Sequence, residues 1–130
     1  MTACGKKRCP VVLVVEDDAF LRFASASELT SEGFEALEAG SADEALAMLD
    51  SNPDIHAVFT DITMPGSMNG IALANHVSRL QPQLYILITS GEMPPSAQPM
   101  PQFSDFVPKP YALTQIAALI RARIPAHLLS

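Results

Sequence analysis

Apolar and polar positions along the chain follow two alternating periods, and the changes of period mark the elements. Residues 11–15, Val-Val-Leu-Val-Val, are a continuous and mostly β-branched apolar run, the pattern of a strand buried on both faces. Asp18 can cap a helix in which Leu21, Ala24 and Leu29 recur at helical spacing, and Gly33 stops it. Residues 34–39 form a weaker second strand, supported mainly by position. Ser41 and Glu44 make a Ser-x-x-Glu capping box that opens a second helix through Ala45, Leu46 and Leu49. Pro53 ends that connection and residues 55–60 read as the third strand. The stretch from 61 to 70 is rich in turn residues. Residues 71–80 read as a helix with Leu73, Ala74, Val77 and Leu80 on one side. Residues 84–88 are a fourth strand ending in Thr89-Ser90-Gly91. Residues 103–107 are a short fifth strand, followed by Lys109-Pro110. Residues 111–124 close the series as a helix with Ile116, Leu119 and Ile120 facing inward.

Strands alternating with helices over short connections imply a parallel sheet covered on both faces. The expected fold is therefore α/β and doubly wound, with five strands and about five helices over residues 11–124. Residues 1–10 are expected to be a mobile leading tail and 125–130 a trailing one. One segment breaks the rhythm. Residues 92–102 read Glu-Met-Pro-Pro-Ser-Ala-Gln-Pro-Met-Pro-Gln where a fourth helix belongs. Each interior proline costs a helix ~3 kcal/mol, so that helix should be shortened or replaced by a loop.

Composition narrows the class. The chain has 130 residues, 48% of them apolar, which suits one domain with a real core. A formal net charge of −6 and the lack of any basic stripe argue against a nucleic-acid surface. No apolar stretch is long enough to span a bilayer. Lys6, Lys7 and Arg8 precede only a five-residue apolar run, which is not a signal peptide. The chain is thus expected to be soluble and cytoplasmic, with neither nucleic acid nor membrane as partner. Cys4 and Cys9 are too few for a disulfide framework and read as two reduced thiols. His56 reads as a loop or surface histidine and His76 as a solvated residue of the third helix, and Met64, Met68, Met93 and Met100 as gap fillers or loop contacts.

Candidate chemistry lies at the strand ends. Glu16 and Asp17 close the first apolar run, and Asp61 closes the third strand. If these strands are parallel neighbours, their carboxyl ends meet at the sheet edge where open α/β folds bind ligands. Acids held this close repel one another, so such a pocket invites a divalent cation. Asp18 has a simpler role as the cap.

These motifs in order resemble the receiver domain of two-component response regulators. They are Val-Val-Glu-Asp-Asp, Asp61 at a strand end, Met-Pro-Gly-x-Met-Asn-Gly, Ile-Thr-Ser-Gly and Lys-Pro. The resemblance covers residues 11 to about 124 and implies a five-stranded, flavodoxin-like receiver topology. It implies Asp61 as the phosphorylation site. It makes Asp17 and Asp61 magnesium (or manganese) ligands, joined by the Thr63 backbone carbonyl and by Glu16 acting through water. Thr89 and Lys109 would bind the phosphoryl group, Thr89 and Phe106 would act as the switch, and the Lys109–Pro110 peptide would be cis. The implied phosphodonor is a histidine kinase or phosphotransfer protein, and the implied output is a downstream target protein. Elementary chemistry agrees with these roles. Aspartate can attack phosphorus to form an acyl phosphate. Phosphoryl transfer is mostly positioning and electrostatics. Lysine supplies a mobile point charge, and a threonine hydroxyl both donates and accepts.

The sequence holds no output domain, so the chain reads as a receiver that stands alone or is a piece of a longer protein, signalling through a target protein or acting as a phosphate sink rather than turning over substrate as an enzyme. Three rival readings are weaker. A magnesium-dependent aspartyl-phosphate phosphohydrolase would want an acid where Thr63 stands. A degenerate receiver used as a binding module would not need the intact acids, Thr89 and Lys109. A flavin-binding domain would want a phosphate-cradling loop where Glu16-Asp17-Asp18 stand.

Overall fold

The computed structural model describes residues 9–63, 69–91 and 100–124. Its five strands are β1 (Val11–Val15), β2 (Glu35–Ala39), β3 (Ile55–Asp61), β4 (Tyr85–Ser90) and β5 (Ser104–Pro108). They form one sheet in the order β2-β1-β3-β4-β5, with every pairing parallel. Four helices are found among the described residues: α1 (Ala19–Ser31), α2 (Ala42–Ser51), α3 (Gly70–Leu80) and α4 (Leu113–Arg123). The doubly wound, flavodoxin-like fold is the one expected. The strand order reverses between β1 and β3, the switch point at which such sheets open a crevice.

The sheet separates two apolar cores. One, under α1 and α4, takes Val12, Val14, Phe59, Leu87, Ile116 and Ile120. The other, under α2 and α3, takes Leu13, Val15, Leu49, Val58, Val77 and Ile88. Alternate residues of each inner strand enter opposite cores, which is why β1 is apolar throughout and wholly buried. The helix starts follow local chemistry. Asp18 Oδ1 accepts from the Phe20 and Leu21 N–H groups at 2.9 and 3.1 Å. Ser41 Oγ accepts from Glu44 N–H at 3.1 Å, and the Glu44 carboxylate accepts from Gly40 N–H. Asn69, inside the turn-rich stretch, caps α3 through Ala72 N–H at 2.9 Å. Gly33 has φ +101° just after α1, a conformation that favours glycine.

Several expectations are corrected. Leu80 does not face inward: it is 68% exposed, because it is the last residue of α3 and overhangs the turn beyond buried Val77. Leu21 is likewise exposed, and Ser25, Ala26 and Leu29 make the buried stripe of α1. His56 is no loop histidine. It lies in β3, where the pairing slips between Val11 and Val12. Its ring Nδ1 accepts the Val11 N–H at 3.0 Å, replacing a ladder bond that the irregularity removes. β3 and β4 run on to Asp61 and Ser90, and α4 starts only at Leu113. Cys9 is disulfide-bonded, against the expectation of reduced thiols. That expectation rested on how disulfides follow redox compartment. Pro10 is buried and its carbonyl accepts from Glu35 N–H at 2.9 Å. Met100 to Phe103 hold no helix. The rest of the proline-rich segment, residues 92–99, lies outside the described residues, as do Cys4, Met64 and Met68.

Candidate functional site

Register builds the site. Asp61 pairs with Thr89 across β3 and β4, and Val15 with Thr60 across β1 and β3, so Glu16 falls level with Asp61. Two positions earlier on each strand stand Val14, Phe59 and Leu87, all in the core under α1 and α4. Glu16, Asp61 and Thr89 therefore form a row on that face, at the carboxyl edge of the sheet beside the switch point.

Asp61 is buried, 6% exposed, and both its carboxylate oxygens are held. Oδ2 accepts from Lys109 Nζ at 2.7 Å, and Oδ1 accepts from the Thr63 backbone N–H at 3.1 Å. Lys109 Nζ also stands 3.9 Å from Glu16 Oε1. The lysine leaves β5 with its own N–H donating to the Ser90 carbonyl at 2.9 Å, and the Lys109–Pro110 peptide is cis, as the resemblance implied. Burial alone would lower the Lys109 pKa. The hydrogen bond and charge of Asp61, with the charge of Glu16, outweigh burial and hold it above its ordinary value.

Glu16 is 8% exposed. Its Oε2 accepts the Asp18 N–H at 3.1 Å. Burial pushes its carboxyl up to about 7, helped by contact with the Asp17 side chain and by the charge of Asp61. The Asp18 N–H and Lys109 pull the other way. Asp17 itself is exposed. Thr89 is buried, and its Oγ1 is the one buried side-chain oxygen among the described residues with no hydrogen-bond partner. An unpaired buried hydroxyl costs free energy unless something arrives to meet it.

Of the residues singled out in the sequence, Glu16, Asp17, Asp61, Thr63, Thr89 and Lys109 are thus brought together. Phe106 is not. It is half-buried on the opposite face of the sheet, packed with Met100 against the core under α2 and α3, and it pairs in register with Ile88. No cluster of three or more His, Cys, Asp or Glu side chains among the described residues makes a metal cage. Magnesium requires less, commonly one or two carboxylates with water and phosphate oxygens completing its shell. Glu16, flanked by the Asp17 side chain and facing the Asp61 charge, suits that, and its reluctance to ionise is what a nearby cation would relieve.

Three further residues went unnoticed in the sequence. Gly70 seats α3 on Asp61: a Cβ there would stand 2.0 Å from the Asp61 carbonyl oxygen. Arg22 reaches from α1 to the Glu16 carbonyl at 2.8 Å and to Glu38 at 3.2 Å. Tyr111 packs edge-on against Phe59, ring centroids 5.6 Å apart, and faces Ser25 of α1. With Leu21, Ala24, Pro110 and Leu113 it lines an open, mostly apolar cleft of about 510 Å³ beside Lys109. The signals were faint: a glycine at a helix start, an arginine in the first turns after an acidic run, and an aromatic just past Lys-Pro.

A parallel sheet of this order, carrying an acidic row and a lysine at its switch point, defines a receiver. The sequence matches the response regulator receiver domain family over residues 12–121, and the chain belongs to that family. It is 36% identical over 115 residues to the C4-dicarboxylate transport transcriptional regulatory protein DctD of Rhizobium meliloti (strain 1021), covering 86% of this chain and 25% of DctD. It is 30% identical over 114 residues to the sensor kinase CckA of Brucella abortus (strain 2308), covering 85% of this chain and 12% of CckA. The chain thus spans a quarter or less of these curated relatives. Among solved structures, a response regulator receiver protein from Sinorhizobium medicae WSM419 superposes with TM-score 0.77 at 28% identity, over 93% of this chain and 94% of that one. No helix among the described residues is long and apolar enough to cross a membrane.

Proposed function

We propose that the domain accepts a phosphoryl group on Asp61 from a phosphohistidine donor, a histidine kinase or phosphotransfer protein, and signals to a target protein by the change that follows. The observation that carries this reading is the in-register row of Glu16, Asp61 and Thr89 with Lys109 Nζ 2.7 Å from Asp61. A carboxylate oxygen of Asp61 attacks phosphorus, the bond to the donor imidazole breaks, and an acyl phosphate forms. Lys109 is already at the carboxylate and turns to a phosphoryl oxygen as charge moves there. The Thr89 hydroxyl gains the partner it lacks. Glu16, Asp17 and Asp61, with the Thr63 carbonyl, would hold a magnesium ion, which when bound would supply positive charge to the phosphoryl group being transferred. Such a domain is a phosphoryl-accepting signalling module working in the cytoplasm rather than a turnover enzyme.

The test is incubation with acetyl phosphate and magnesium. Intact mass should rise by one phosphoryl group, labile in base, and Asp61→Asn should take up none. Label persisting undiminished in Asp61→Asn would overturn the assignment.

A further inference from the structure

The acceptor of the Arg22 guanidinium is no ordinary carbonyl. It belongs to the peptide that joins Glu16 to Asp17, and Nη1 donates to it at 2.8 Å. The same side chain is anchored on its other arm by Glu38 of β2, with Nε 3.2 Å from Oε1, and is only 22% exposed. Room for the fork comes from Gly40, where a Cβ would stand 3.2 Å from Nη1. Three elements, α1 and the carboxyl ends of β1 and β2, thus fix one peptide plane.

Asp17 depends on that plane. Glu16 is steadied by burial and by the Asp18 N–H. Asp17 is exposed, its side chain meeting the Glu16 carboxyl, so little packing fixes it and its direction follows largely from its backbone. The planar guanidinium, held by Glu38 through Nε, presents Nη1 to the carbonyl in a fixed direction, which a flexible lysine ammonium would not.

We propose that Arg22 is a positioning residue for the acidic pair: it fixes the Glu16–Asp17 peptide and so holds the Asp17 carboxylate where a divalent cation shared with Asp61 needs it. This rests on the reading of the site as one that takes magnesium and a phosphoryl group. The sign of the effect separates it from plain electrostatics. A cation beside a cation site repels the ion, so a role through charge alone predicts tighter binding when Arg22 is removed. Positioning predicts weaker binding, because losing the partner that orients a metal ligand typically costs about tenfold or more in affinity.

The experiment is titration of the full chain with magnesium chloride, followed by amide shifts, for wild type, Arg22→Ala and Glu38→Gln. Phosphorylation by acetyl phosphate is measured in parallel against magnesium concentration. Arg22→Ala should weaken magnesium binding about tenfold. It should raise the magnesium concentration needed for half-maximal phosphorylation by the same factor, with the rate at saturating magnesium nearly unchanged. Glu38→Gln, which leaves the carbonyl bond in place, should stay close to wild type. If Arg22→Ala does not give a native amide spectrum, Arg22→Met, which keeps the stem, replaces it with the same expected loss. Unchanged or tighter binding in the arginine variant overturns the proposal, as does an equal loss in Glu38→Gln. Those results leave the receiver reading standing, whereas a wild-type chain that neither binds magnesium nor takes phosphoryl overturns both.

Discussion

Replacing Gly70 by alanine sets a helix-propensity gain against a steric cost, and the structure decides between them. Alanine is favoured over glycine in a helix by about 1 kcal/mol, so at an open position Gly70→Ala would stabilise. Here the new Cβ would stand 2.0 Å from the Asp61 carbonyl oxygen, 2.7 Å from its carbonyl carbon and 2.9 Å from Ile62 Cα. All three are backbone atoms, so no rotamer relieves the clash. Real contacts of this kind essentially never fall below 3.0 Å, so α3 must draw back from β3 by about 1 Å. That movement stretches the Gly70 N–H bond to the Ile62 carbonyl, now 2.9 Å, a bond worth about 1 kcal/mol. Overpacking of this sort costs about 1–3 kcal/mol. The net expectation is a loss of about 1–3 kcal/mol and a fall in Tm of roughly 3–10 °C. Thermal and urea denaturation followed by circular dichroism would read this, with the urea slope unchanged. Gly91→Ala is the control: nothing lies within 4 Å of its Cβ position, so its stability should stay within about 0.5 kcal/mol of wild type. A Gly70→Ala protein as stable as the parent would refute the claim that α3 is seated on the backbone of Asp61.

Other outcomes follow from the same site. Thr89→Val should leave the unphosphorylated domain as stable or slightly more so, since the hydroxyl it removes has no partner, while the amide shifts that beryllofluoride induces beyond Asp61 should shrink; a loss above about 1 kcal/mol would mean the hydroxyl is bonded after all. Glu16, raised from 4.5 to about 7, favours the folded state when neutral, so its contribution is present in full below pH 4.5 and lost as pH rises to about 7. In metal-free buffer Glu16→Gln should flatten that part of the stability profile measured by urea denaturation, and an unchanged slope would contradict it. Asp17→Ala should greatly weaken magnesium binding in an NMR titration without moving the amide signals of the inner strands, because Asp17 is exposed; equal affinity would remove it from the ion's shell.

Most of the fold was legible because β1, β3 and β4 are buried on both faces and leave unmistakable apolar runs, and because Asp18 and Ser41 signal helix starts by their own hydrogen bonds. The acids were legible because they end those runs. What escaped depends on pairing. His56 looked like a surface residue because nothing local says that its ring substitutes for a ladder bond. Leu80 fitted the helical period but outlasted the core beneath it. Gly70 resembled any turn glycine, although its φ is unremarkable and its need is proximity to Asp61. Arg22 is set by its reach across to β1 and β2, which no spacing along the chain encodes. Phe106 was assigned to the switch by resemblance, while its side of the sheet follows from the register with Ile88.

That register has a consequence for how a signal could travel. Thr89 and Phe106 are close in the ladder yet look into different cores, with the hydrogen-bonded plane of the sheet between them. Asp61 and Phe106 thus stand on opposite faces of the sheet. A message that travels between them through the sheet would cross the plane as a tilt of peptide units in β4 and β5, much as a push on one side of a stiff membrane is felt on the other. The sheet in this domain is therefore a diaphragm as well as a scaffold.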